Sequence, residues 1–154
     1  RYDVELAEQQ AQAPRNGELW LIARRHVRSN NSWMHNAQRL VKGKPRHQLF
    51  MHPDDLAVRG VVDEQIVRVT SRVGHVDVEV QATHDIMRGV VSLPHGWGHA
   101  RPGTQQRIAR AHPGISINDL TDDRSLDRLS GNAALNGLPV IVGLSPLTAD
   151  ERAA

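Results

Sequence analysis

The chain has 154 residues, of which 39% are hydrophobic, enough for one domain with its own core and too few for two full ones. With no Cys, it excludes disulfides, iron–sulfur ligation and thiol catalysis within itself. Lys and Arg number 19 against 17 Asp and Glu, and a formal charge of +2 is too small to argue for nucleic acid.

In chain order, residues 1–18 are polar, stop a weak helical pattern at Pro14, and read as a linker or tail. Leu19–Ala23 is a short apolar run with the pattern of a buried strand. It leads into residues 24–46, which hold seven Lys or Arg and no Asp or Glu. Within that window Trp33–Leu40 is expected to be a short helix capped by Ser32 and ended by Gly43 and Pro45. Gln48–Met51 reads as a second strand. His52–Gly60 reads as a helix, with Pro53 at its first position, Asp54 and Asp55 at its positive end and Gly60 at its close.

Ile66–Thr70, a turn at Arg72-Val73-Gly74, and the alternation of Val76, Val78 and Val80 with Asp77, Glu79 and Gln81 predict a hairpin with its Val face inward. Val90–Leu93 is a further strand; residues 100–114 read as loop, and Ile115–Ile117 as a short strand. A polar turn and the 126–129 stretch follow. Leu138–Val142 closes the domain as an edge strand, where Pro139 is tolerated. Residues 144–154 read as a C-terminal tail. With only three Trp, one Tyr and one Phe, the core must be largely Val, Ile, Leu and Ala. Six or seven short strands with few helices predict a mainly β fold, a small closed barrel over residues 19–143.

Two segments carry candidate chemistry. The first is the polar knot Asn30-Asn31-Ser32-Trp33-Met34-His35-Asn36, where amide, hydroxyl, indole and imidazole groups lie beside fixed positive charge. That combination suits a phosphate-bearing heterocycle. The second is His95-Gly96-Trp97-Gly98-His99. Two His four apart could clamp zinc on a helix, but Pro94, Gly96 and Gly98 oppose a helix there. The glycines would instead let the backbone approach a bound molecule and expose N–H groups, with Trp97 as a flat face or indole donor. Asn118-Asp119 reads locally as a turn or cap. No nucleophile–base pair is visible, and the adjacent acidic pairs point different ways.

The order RSNNSWMHN, HPDD, VRVTSRVGHVDVEV, GVVSLPHGWGH and PGISINDLTDD over residues 18–143 resembles the C-terminal molybdopterin-dinucleotide-binding domain of molybdenum and tungsten oxidoreductases of the dimethyl sulfoxide reductase family. The NSW-x-HN and HGWGH segments are most similar to its formate-dehydrogenase-like part. The resemblance implies a double-psi β-barrel whose loops close over molybdopterin guanine dinucleotide. Arg25, Asn31, Ser32, Trp33, His35 and Asn36 would contact the pterin and phosphate region. His95, Gly96, Trp97, Gly98 and His99 would approach a pterin from another side, and Asn118 and Asp119 match a later amide-bearing loop. One departure is Asp63-Glu64-Gln65, where the family usually has Asp-Gly-Asp; this puts turn geometry in question.

The resemblance also implies that metal ligand and iron–sulfur cysteines lie in other domains of a parent enzyme, so that this piece alone is catalytically inert. Those domains are the expected partners, with electron-transfer subunits beyond them. Opening on Arg1 with its first Met at Met34, the chain reads as part of a longer polypeptide. No run nears the ~18 apolar residues of a membrane span and no signal peptide is visible; the expected compartment is the cytoplasm rather than the periplasm. Two rival readings are a nucleic-acid-binding barrel using residues 24–46, and a free-standing double-psi barrel enzyme.

Overall fold

The computed structural model describes residues 17–126 and 130–146. The outer parts of both expected tails, and 127–129 of the 126–129 stretch, lie outside the described residues. Six strands, β1 (Glu18–Arg24), β2 (Leu49–Met51), β3 (Ile66–Thr70), β4 (His75–Ala82), β5 (Val90–Pro94) and β6 (Leu138–Leu144), close into a barrel in the order β1-β5-β2-β4-β3-β6. The pairs β1–β5 and β2–β4 are parallel, and the other four are antiparallel.

The barrel forms because alternate residues of each strand are apolar and share one face. Leu19 and Leu21, Leu49 and Met51, Val67 and Val69, Val76, Val78 and Val80, Val91 and Leu93, and Leu138, Val140 and Val142 fill the interior. Among the described residues no Phe, Tyr or Trp belongs to that core, which is mainly Val and Leu, in line with the aliphatic core expected from the composition. On the outer face of the hairpin, Arg68 stands opposite Asp77 and grips both carboxylate oxygens at 3.0 and 2.8 Å.

Pro139 is not on a free edge. Strand β6 lies between β1 and β3, but β3 pairs only from Ile141 onward. Pro139, opposite Trp20, has one neighbour, so its missing N–H interrupts no second ladder.

Helix α1 (Gln38–Val41) starts later than expected, and Ser32 does not cap it; Ala37 takes that position without a side-chain bond. Asn30 and Asn31 are left-handed, at φ 39° and 64°, and hold 27–36 in successive turns. Helix α2 (Pro53–Val58) follows expectation more closely: His52 caps it by accepting from the Asp54 N–H, and Leu56 is buried. Helix α3 (Arg107–Ala111) falls where loop was expected. Residues 115–117 form no strand; a 3₁₀ turn, Ile117–Leu120, seats Ile117 and Leu120 in the core instead.

Candidate functional site

Because β1 and β5 run parallel, the segments leaving Arg24 and Pro94 emerge at the same barrel end. The His95 N–H donates to the Arg24 carbonyl at 3.0 Å, extending the ladder by one step. Arg25 and His95 are thereby neighbours at the foot of two loops, and burial together with the Arg25 charge lowers the His95 pKa. The loops meet again at their tips. A Cβ on Gly96, at φ +92°, would lie 2.2 Å from the Asn31 carbonyl oxygen. Only glycine permits this approach.

His35, 2% exposed, is the centre of the junction. Its Nδ1 lies 2.7 Å from His99 Nε2, so one imidazole donates to the other. The ring packs 4.1 Å from Trp97, centroid to centroid. His35 Nε2 is buried without a hydrogen-bond partner among the described residues. Burial, then the charges of His99 and Arg46, lowers the His35 pKa to about 4, so the ring is neutral at pH 7.

A third segment completes the mouth. Gly98 and His99 donate their N–H groups to the Pro113 carbonyl at 2.9 and 3.0 Å, and a Cβ on Gly98 would lie 2.8 Å from the Ser116 Cβ. The two glycines thus serve loop-to-loop packing, and the Gly98 and His99 N–H groups are already satisfied rather than exposed, contrary to expectation. His47, which no motif singles out, lies beneath. Its ring is 5.1 Å from Trp97, and its Nε2 lies 3.1 Å from both the N–H and the carbonyl oxygen of Ile115. Burial lowers its pKa to about 4, against a smaller opposing effect from the Ile115 hydrogen bond. No local pattern marks His47, because its partners are Trp97 and Ile115, far along the chain.

The remaining candidates divide. Trp33 is 83% exposed and projects from the first loop. Asn31 is exposed and Ser32 half-buried beside it. Asn36 acts as a structural tie, since its Oδ1 accepts from the Ile108 and Ala109 N–H groups at 3.0 and 3.4 Å and so fastens the first loop to α3. Asp119 pairs with Arg101, and Asn118 is exposed at the rim. Arg24 belongs to the barrel wall, its guanidinium donating to the Gln48 and Ser92 carbonyls and lying 3.5 Å over the Phe50 ring. Burial lowers its pKa to about 10, which leaves it charged.

Residues 19–139 match the Molydopterin dinucleotide binding domain family. The chain belongs to that family. This dinucleotide-binding domain is similar to biotin sulfoxide reductase of Cereibacter sphaeroides, 35% identical over 82 residues, which are 52% of this chain and 11% of that protein. It is also similar to dimethyl sulfoxide/trimethylamine N-oxide reductase of Rhodobacter capsulatus, 41% identical over 86 residues, 53% of this chain and 10% of that protein. The domain spans about a tenth of the length of the curated relatives it matches. Acetylene hydratase from Pelobacter acetylenicus shares the fold, with a TM-score of 0.68 and 21% identity over 93% of this chain and 19% of that one.

The mouth fits such a group. Around the junction stand the buried imidazole of His35, whose Nε2 has no hydrogen-bond partner among the described residues, the exposed amide of Asn31, and the Arg25 charge beside His95. Neutral hydrogen-bonding groups beside Arg suit a polar heterocycle joined to phosphate.

Proposed function

We propose that this domain covers a molybdopterin guanine dinucleotide within a larger molybdenum or tungsten oxidoreductase, of the formate-dehydrogenase-like kind that NSW-x-HN and HGWGH resemble. The observation that carries the reading is the meeting of those two segments at one barrel mouth, joined through His35 and His99 around an unpartnered buried nitrogen. The two parallel strand pairs support the double-psi form of the barrel.

Asn31, Ser32, Trp33 and His35 on the first loop, and His95 and His99 on the second, would orient the pterins. Arg25 would offset phosphate charge. Gly96 and Gly98 set the spacing between loops, Trp97 supports His35, and Asn36 anchors the first loop on α3. Asn118 and Asp119 would close the third side, with Asp119 held by Arg101. The bound group supplies the metal at which substrate redox chemistry occurs. The domain itself supplies position and electrostatics: a neutral His35 is held by His99, and its buried Nε2 is left without a partner among the described residues. The other domains of the parent, with any electron-transfer subunits, supply the rest.

The reading is tested in the full-length parent carrying Asn31→Ala, Trp33→Ala and His35→Ala. Cofactor content per protein, measured after acid release, is expected to fall together with activity. Unchanged content and activity would remove the assignment.

A further inference from the structure

Beside the mouth, and sharing Trp97, His47 and Pro113 with it, lies a second opening. It has a volume of about 540 Å³, with walls from Val41, Pro45, Trp97 and Pro113 and with Lys42 and Lys44 on its border. Among the described residues no Asp or Glu lines it. Both lysines are exposed and form no ion pair among the described residues. The Arg46 guanidinium, by contrast, is engaged by the Leu40 carbonyl at the end of α1.

This is a hollow bordered by exposed positive charge, although Lys44 also borders a neighbouring opening that Asp63, Glu64 and Glu79 line, and its chemistry limits what can enter. The Trp97 ring lies 4.1 Å from His35 and 5.1 Å from His47, centroid to centroid, and His47 and His112 line the hollow with it. An aliphatic or aromatic side chain flanked by carboxylates would find both an apolar seat and cations. The curated relatives are about ten times longer than the part this domain matches, so most of such a protein lies outside it.

We infer that the hollow between α1, the 42–47 segment and Pro113 receives an acidic, apolar-tipped peptide segment from the rest of the parent chain. The inference rests on the reading of the domain as part of a larger enzyme. It does not depend on the cofactor contacts at the mouth.

A zero-length carbodiimide cross-linker, which joins amines to carboxylates, tests it in the full-length parent. Mass spectrometry is expected to find Lys42 or Lys44 joined to an Asp or Glu outside residues 1–154, with a large apolar residue within two positions. The yield should fall as salt rises to about 1 M, where the Debye length is about 3 Å. Lys42→Gln with Lys44→Gln should abolish the link; both positions are exposed, so the fold is kept. Absence of any link, or links only within residues 1–154, overturns the inference. So does protection of the two lysines from acetylation by guanosine monophosphate, which would make the hollow a nucleotide site. The cross-link can also be sought in cofactor-free parent. Its presence there, alongside normal cofactor content in the Asn31, Trp33 and His35 variant, would sink the mouth assignment and leave this one standing.

Discussion

Glu64 sits at φ 62°, a left-handed conformation that costs a residue with a Cβ about 1 kcal/mol or more. Its neighbours need it there: its N–H donates to the Val80 carbonyl at 2.9 Å, and Val80 returns the bond to Gln65. The Asp63-Glu64-Gln65 departure from Asp-Gly-Asp therefore leaves the turn intact and strained. Glu64→Gly is expected to stabilise the domain by up to about 1 kcal/mol, reduced by glycine's freedom in the unfolded chain. The midpoint of urea unfolding checks this. Gly96→Ala should act in the opposite sense, since it adds a clash with the Asn31 carbonyl to the same kind of backbone strain. A loss of about 2 kcal/mol or more is expected, with a change in near-ultraviolet dichroism from the displaced Trp97. His35 and His47 give the domain an acid sensitivity whose direction is fixed. Each has an ordinary pKa of 6.5 lowered to about 4, so between those values the unfolded chain binds protons that the folded chain refuses. Their contribution is complete above about pH 6.5 and declines as pH falls toward 4. The urea midpoint should drop from about pH 7 to about pH 4.5, and less steeply in His47→Gln than in the natural sequence.

Among the elements, α3 is the clearest case of a structure held from a distance. It has five residues and no cap bond from Gln106, too few to persist alone. Asn36 supplies acceptors to its first turn. Asn36→Ala should cost about 1 kcal/mol, and Asn36→Asp, which keeps the oxygen, should recover most of it; thermal unfolding of the three proteins makes the comparison. The same distance explains what the sequence concealed. Val76, Val78 and Val80 are legible because one buried face imposes a period of two within a single stretch. Pro53, Asp54 and Asp55 are legible because a helix start is a local matter. Helix α3 is not, since its cap lies some seventy residues earlier, and prolines and glycines around it suggest loop. The start of α1 is obscured by Asn30 and Asn31, whose left-handed turns use up the residues that Ser32 would otherwise have capped. At the mouth, the two candidate segments are readable from their composition. Their junction, and His47 beneath it, depend on a parallel strand pairing that no local pattern reveals.

For the whole molecule, closure of the barrel rests on β6, which joins β1 on one side and β3 on the other. A chain that ends at Gly137 would lose both ladders together and leave two open edges beside a core lacking Leu138, Val140 and Val142. Such a chain is expected to show no cooperative thermal transition by circular dichroism, whereas Leu21→Ala, at a cost of about 2–5 kcal/mol, should lower the transition without abolishing it. Closure also bears on the rival nucleic-acid reading. The basic residues of 24–46 do not form one stripe, since Arg24 is built into the wall and Arg46 is engaged at the end of α1.

The antiparallel register of β1 and β6 has a geometric consequence for the domain. Glu18 lies opposite Ile141, three residues from the end of β6, so the chain enters and leaves the barrel at one pole, roughly 10 Å apart along the strand. The mouth lies at the other pole. Glu18 and Leu144, the outer ends of β1 and β6, therefore lie behind the barrel, away from the loops that form the mouth.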